Sequence, residues 1–300
     1  MNNNHNDEVD IKDLLKIISK KKTAILILAI LFSLGSFIYS FISPSIYTSS
    51  ALLMSSNQND SLSSKLGSYS SLAGLAGVNI PNDSSNPTKE AIARIKSFSF
   101  FVNHFLSHIK LENLVAAKNW VKNDNSIIYN KKIYDVSQGK WVESASLLKP
   151  SNQEAYQYYL KLLSISEDPK TSFVLIEMDH VSPNIAQEWV DLIIQNINES
   201  MREDNERIAI QSIEFLQKTY QETQLTQIQV AITNLLQTQM QNLMLTSANK
   251  NFVFKIIDSP FSPEKKSSPG KLTFIIAGLF LGLFLGIAYS LISFFIKDSH

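Results

Sequence analysis

The chain has 300 residues with 27 basic and 27 acidic side chains, so its formal net charge is zero. A nucleic-acid binder normally carries a basic excess or stripe, and this balance argues against one. The absence of cysteine excludes disulfide frameworks, thiolate zinc sites and cysteine nucleophiles.

The first long apolar run covers residues 23–42, 20 residues without a charge. At about 1.5 Å per residue it can cross a hydrocarbon core about 30 Å thick. Lys20, Lys21 and Lys22 precede it, with Lys12 and Lys16 upstream. Positive flanks stay cytoplasmic, so the sequence predicts a cytoplasmic tail over 1–22 and a first transmembrane helix over 23–42. A cleaved signal peptide fits less well. Its apolar region runs for about 7–15 residues and ends at small residues, whereas this run ends in Phe41-Ile42-Ser43-Pro44.

Residues 43–271 then form one large domain on the outer side. Residues 55–88 are crowded with Ser, Asn and Gly and read as loop, interrupted by the small apolar segment Leu72 to Val78. Strands are predicted over 46–54, 171–178 and 252–258, the run Phe173-Val174-Leu175-Ile176 being the most strand-like. Helical spacing runs through Ile92, Ile95, Phe98, Phe101 or Val102, and Phe105 within 89–116. It recurs through Tyr156, Tyr159, Leu160 and Leu163 within 152–165. The fold class predicted is an α/β membrane protein, two transmembrane helices flanking an α/β base.

From residue 184 to 259 there are 76 residues without Gly or Pro, although the chain has nine of each. Ser182 is a good N-cap with Pro183 at the first helical position. Apolar residues then recur mostly at threes and fours, with slips near 221–225 and 236–240. One or two consecutive helices over about 183–247 are predicted, and part must project from the base. Between Glu222 and Lys250 no residue is charged. An exposed face is usually laced with Glu and Lys. Neutral amides suit a face turned to identical copies, which makes Gln229, Ile232, Leu235 and Gln237 the candidate oligomer-facing residues.

Pro260, Pro263 and Pro269, with Gly270, form a stiff linker over 259–270. A second run without charge, 272–296, has 25 residues and is the second predicted span, leaving 297–300 as a cytoplasmic tail with no output domain. Lys265, Lys266 and Lys271 on its outer side run against the positive-inside bias, but long translocated domains escape that rule. Gly278, Gly282 and Gly286 lie four apart, a spacing that lets helices approach closely in lipid.

Catalytic signatures are missing. There is no G-x-x-x-x-G-K-[ST] phosphate cradle, no G-x-S-x-G elbow and no H-E-x-x-H pair. His104 and His108 are four apart but lack a third ligand, and read as exposed polar residues. Asp7, Glu8 and Asp10 read as a solvated charge run. No catalytic residue, cofactor or metal is predicted.

Several stretches together resemble the Wzz-type chain length determinants, the polysaccharide co-polymerases of lipopolysaccharide O-antigen. They are VDIKDLLKIISKKK at 9–22, FVLIEMDHVSPNIAQEWVDLII at 173–194, FLQKTYQETQL at 215–225, NLMLTSANKNFVFKIIDSPFSPEKKSSPGK at 242–271, and the glycine-spaced second span. The resemblance implies a multi-pass protein of the inner membrane of a Gram-negative bacterium, with its main domain in the periplasm. It implies a homo-oligomeric scaffold without enzyme activity, beside a Wzy-type polymerase and the nascent lipid-linked polysaccharide, that sets how many repeat units are joined. The short tail does not fit the related kinase-bearing branch. The family often has Arg or Trp at the first span, where this chain has only Lys. Two other classes compete. A periplasmic adaptor or export component suits the long helix but usually has one anchor. A membrane glycosyltransferase needs an acidic nucleotide-sugar site or many more spans.

Overall fold

The computed structural model describes residues 21–56, 86–142, 149–268 and 270–298. The tail with Lys12, Lys16, Lys20, Asp7, Glu8 and Asp10, the segment Leu72 to Val78, Pro269 and His300 lie outside them. The chain divides into two units, one of residues 1–46 and 265–300, the other of residues 47–264.

The first unit holds two apolar helices, α1 (Lys22–Ile42) and α8 (Lys271–Asp298). They run antiparallel, since Ser36 lies beside Phe274 and Lys21 beside Ser293. Ile46 and Ser268 form an antiparallel bridge near their bases. Both helices are long and apolar enough to cross a membrane. Only 17% and 22% of their most apolar 18-residue stretches is buried. A soluble core helix would hide most of that surface.

The second unit is built on a four-stranded sheet in the order β6-β7-β1-β8. The strands are β1 (Tyr47–Ser55), β6 (Leu163–Glu167), β7 (Phe173–His180) and β8 (Phe254–Asp258). Every pairing is antiparallel. The mixed helix–sheet class therefore holds, but as an antiparallel sheet with helices on it rather than a parallel α/β sheet. Alternation decides the faces. Ser49, Ala51 and Leu53 of β1 are buried opposite Met178, Ile176 and Val174 of β7. The first half of α6 (Pro183–Glu222) covers them with Trp189, Val190, Ile193, Ile194 and Ile197. Ser182 caps that helix by accepting from the Ile185 amide, and Pro183 opens it.

Two predicted elements differ. The spacing over 89–116 is not one helix. α2 (Pro87–Ile95) stops, and Ser97 caps a new start, α3 (Phe98–Phe100). A π-turn over Phe101–Phe105 and a 3₁₀ turn over Leu106–His108 lead to α4 (Leu111–Val115). The wider turn leaves Phe101 and Phe105 both fully buried, 5.1 and 4.7 Å from the Tyr159 ring. The predicted helix over 152–165 ends early, because Leu163 already belongs to β6. Helix α5 (Asn152–Leu162) opens with a Ser151–Glu154 capping box, and the alternation of Leu-Ser-Ile-Ser-Glu makes the following edge strand. Two hairpins escaped prediction altogether: β2 (Ala117–Val121) with β3 (Ser126–Tyr129), and β4 (Tyr134–Asp135) with β5 (Lys140–Trp141). Their turns use positive φ at Asn125 and Gly139.

The long helical stretch is two helices. α6 spans 40 residues, about 60 Å, and α7 (Thr226–Ala248) returns along it. The direction follows from Ser247, whose hydroxyl donates to Glu206 at 3.0 Å, and from Leu235 and Gln239 facing Ile208 to Leu216. Beyond Met201 only Ala209 of α6 is buried, so this half leaves the sheet and has α7 packed along it.

Candidate functional surfaces

Among the described residues no group of three His, Asp or Glu side chains could hold a metal. His104 and His108 fall in the π and 3₁₀ turns, so their spacing of four is not that of one α-helical face. His104 stacks on Phe100 with ring centroids 5.4 Å apart, and His108 contacts the Ser107 hydroxyl. The buried histidine is His180, which the sequence reading passed over. Its Nδ1 accepts from the Ser182 amide at 2.9 Å and its Nε2 donates to the Asn113 carbonyl at 3.0 Å. With the ring against Trp189 at 4.7 Å, burial pushes its pKa below the ordinary value. Both nitrogens are spent on structure, so it has no free base to offer.

The three glycines of α8 lie on one seam against α1. A Cβ at Gly278 would stand 2.6 Å from Ser36 Cβ and 2.7 Å from the Phe32 carbonyl oxygen. At Gly282 it would stand 2.6 Å from Ala29 Cα, and at Gly286 3.0 Å from Ile25 Cα. The partner of this seam is thus the chain's own first apolar helix. Ser36 adds a hydroxyl donated to the Phe274 carbonyl at 2.6 Å. Gly35 on α1, by contrast, has nothing within 4 Å of a built Cβ.

The four residues singled out on α7 separate. Ile232 is buried at 5% exposure, turned inward within the chain. Gln229 donates its amide to the Thr223 carbonyl at 2.8 Å and closes the turn between α6 and α7. Leu235 is 47% exposed and Gln237 is exposed. Around them Phe215, Leu225, Val230, Met244 and Leu245 are each more than half exposed. The projecting hairpin therefore presents apolar and amide groups to its surroundings, with no charge along α7.

Pro260 and Pro263 are both buried. The Pro260 carbonyl accepts from Gln187, the Phe261 carbonyl from Ser49 at 2.8 Å, and Ser262 donates to Asn184. The start of the predicted linker is thus strapped to the sheet unit rather than free. Proline has no amide proton, so the strand can end there without an unpaired donor.

A charged girdle marks where α6 leaves the sheet. Asp204 pairs with Arg94 of α2 and with Arg207 at 2.8 Å, and the guanidinium of Arg202 bridges Glu199 and Glu206. Hydrogen bonds from Arg207 and Arg94 hold the Asp204 carboxyl below its usual range. These ion pairs stay outside the apolar stretch of α7.

Residues 7–113 match the family described as chain length determinant protein, Wzz. No curated protein matches the chain. A solved structure titled "full-length bacterial polysaccharide co-polymerase" aligns with 96% of this chain and 99% of its own at 13% identity, with a TM-score of 0.39. A fragment of WzzB, a polysaccharide co-polymerase from Salmonella Typhimurium, aligns with 75% of this chain and 100% of its own at 18% identity, with a TM-score of 0.35. Both TM-scores are below 0.5, so the fold stands on this chain's own elements. The resemblance to the Wzz chain length determinants is therefore shown, carried by the family match over residues 7–113.

Proposed function

We propose that this protein is a non-catalytic regulator of polysaccharide chain length, anchored in a bacterial inner membrane by α1 and α8. The observation that carries the reading is the match of residues 7–113 to the chain length determinant family. Lys20 to Lys22 support a cytoplasmic N-terminus. On that orientation residues 43–271 lie in the periplasm and the last residues return to the cytoplasm. The hairpin of α6 and α7, with its apolar and amide surface, supports assembly of identical copies around the growing chain. In that assembly the protein acts on the extent of polymerisation, beside a Wzy-type polymerase that performs the chemistry on lipid-linked O-antigen.

Deleting the gene and separating the lipopolysaccharide on a gel tests this. A ladder with its preferred length lost and its polymer retained is the expected result. Complete loss of polymer points to a glycosyltransferase, and an unchanged ladder removes the regulatory reading.

A further inference from the structure

We propose that the two small hairpins, residues 117–142, form a docking surface for anionic lipid headgroups. The inference rests on the membrane-spanning reading above. Five lysines against two aspartates give this segment a net charge of +3, while the whole chain is neutral. Lys118, Lys122, Lys131, Lys132 and Lys140 are all exposed. Ile128 and Val136 stand among them 45% and 60% exposed. Trp120, Tyr129, Tyr134 and Trp141 are half-buried, with Tyr129–Tyr134 and Tyr134–Trp141 rings 5.5 and 5.3 Å apart. Basic heads, amphipathic rings and isolated aliphatic tips are the composition of a surface that rests on a bilayer interface.

The surface is also held in a fixed orientation. Asn125 accepts from Trp120 Nε1 and from Asn184 of α6, both at 2.8 Å, and Tyr129 donates to Asn113 at 2.5 Å. Two-stranded hairpins alone are marginal in water, and these anchors tie the first of them to the sheet unit. Covalent reach supplies the location. Trp120 meets Tyr47 edge-on at 5.6 Å, and Tyr47 follows the last residue of α1 by five positions. Five residues extend at most about 18 Å. Whatever angle the chain takes on leaving the membrane, Tyr47 stays within that distance of the helix end. A lysine-rich surface tethered so closely to a bilayer meets anionic headgroups at high local concentration.

The tryptophans make this measurable. The chain has three. Trp189 is buried in the core at 1% exposure, so changes at the surface report Trp120 and Trp141. The full chain is reconstituted into vesicles of phosphatidylcholine, alone or with one-third phosphatidylglycerol, each carrying lipid brominated high on its acyl chains. Flotation after an alkaline wash first establishes that the protein is integral; failure there overturns the spanning reading and this inference with it. Given integration, roughly twofold stronger quenching in the anionic vesicles is expected, reduced by salt. Lys131→Glu with Lys132→Glu should abolish the difference while flotation stays intact. Equal quenching in both lipids overturns the proposal alone. So does quenching that a soluble acidic polysaccharide relieves, which would assign the lysines to polymer instead of lipid.

Discussion

Asn198 sits on α6 at 4% exposure with its amide turned to the first residues of β8. Its oxygen accepts from the amides of Val253 and Phe254, both at 2.9 Å, and its nitrogen donates to the carbonyls of Ile194 and Phe254, both at 3.1 Å. Every hydrogen-bonding site of the side chain is used. One residue thus stands in for a strand partner and fixes where β8 begins. Asn198→Ala leaves two buried amides and a carbonyl without that partner, at about 1–3 kcal/mol for each group not rescued by water. A loss of about 2–4 kcal/mol is expected in chemical unfolding of the solubilised protein, against under about 0.5 kcal/mol for Asn234→Ala on exposed α7. Equal small losses for both would show that Asn198 is incidental. Nothing in the sequence marks Asn198, because its role depends on a strand 55 residues away. Ser182 and Pro183, whose roles are local, were legible.

Whole elements were legible where one periodicity ruled them. The two long apolar helices, β1, β7 and the start of α6 follow from runs of apolar residues, alternation or a cap. The break between α6 and α7 falls at the first of the two slips in spacing, near 221–225, but one helix could not be told from two, because no Gly or Pro marks it and a glutamine amide closes the turn. The hairpins over 117–141 were missed because they rest on two turns with positive φ rather than on an apolar stripe. The glycine spacing was visible, but not what it faces. The seam now gives a sharp contrast. In Gly282→Leu the new side chain meets the backbone of Ala29, and overpacking of this kind costs about 1–3 kcal/mol; Gly35→Leu meets open space. The natural chain lacks cysteine, so Tyr39→Cys with Phe274→Cys, at rings 5.9 Å apart, can be joined by a short bismaleimide. Gly282→Leu should cut that yield several-fold, and Gly35→Leu should leave it unchanged. Equal yields would mean that the helices do not meet along these glycines. On α7, Gln237→Glu places one exposed charge in every copy of a helix otherwise free of charge. If hairpins of neighbouring copies meet there, the complex in detergent becomes smaller at low salt and recovers at high salt, with helix content unchanged. Ile232→Ala should instead lower the stability of the hairpin itself by about 2–4 kcal/mol. An oligomer mass unaffected by Gln237→Glu at any salt assigns that side chain to water.

At the scale of the molecule, the proposed role is that of a scaffold that changes polymer length without making bonds, resting on a pair of apolar helices, an antiparallel sheet unit and a helical hairpin. The family region covers the first apolar helix, β1 and the aromatic turn of the core, residues 7–113, while the hairpin that would meet other copies lies beyond it. Regulation and catalysis differ in one quantity: a regulator redistributes repeat units among chains, whereas a catalyst determines how many are joined at all. The most direct measurement is therefore total repeat-unit content and chain-length distribution on the same lipopolysaccharide samples, from cells with the gene, without it, and with it restored. The account predicts that content in polymer longer than one unit stays within about twofold while the preferred length disappears and returns. Polymer content falling to the level of single repeat units in the deletion, and recovering only with the restored gene, would contradict it.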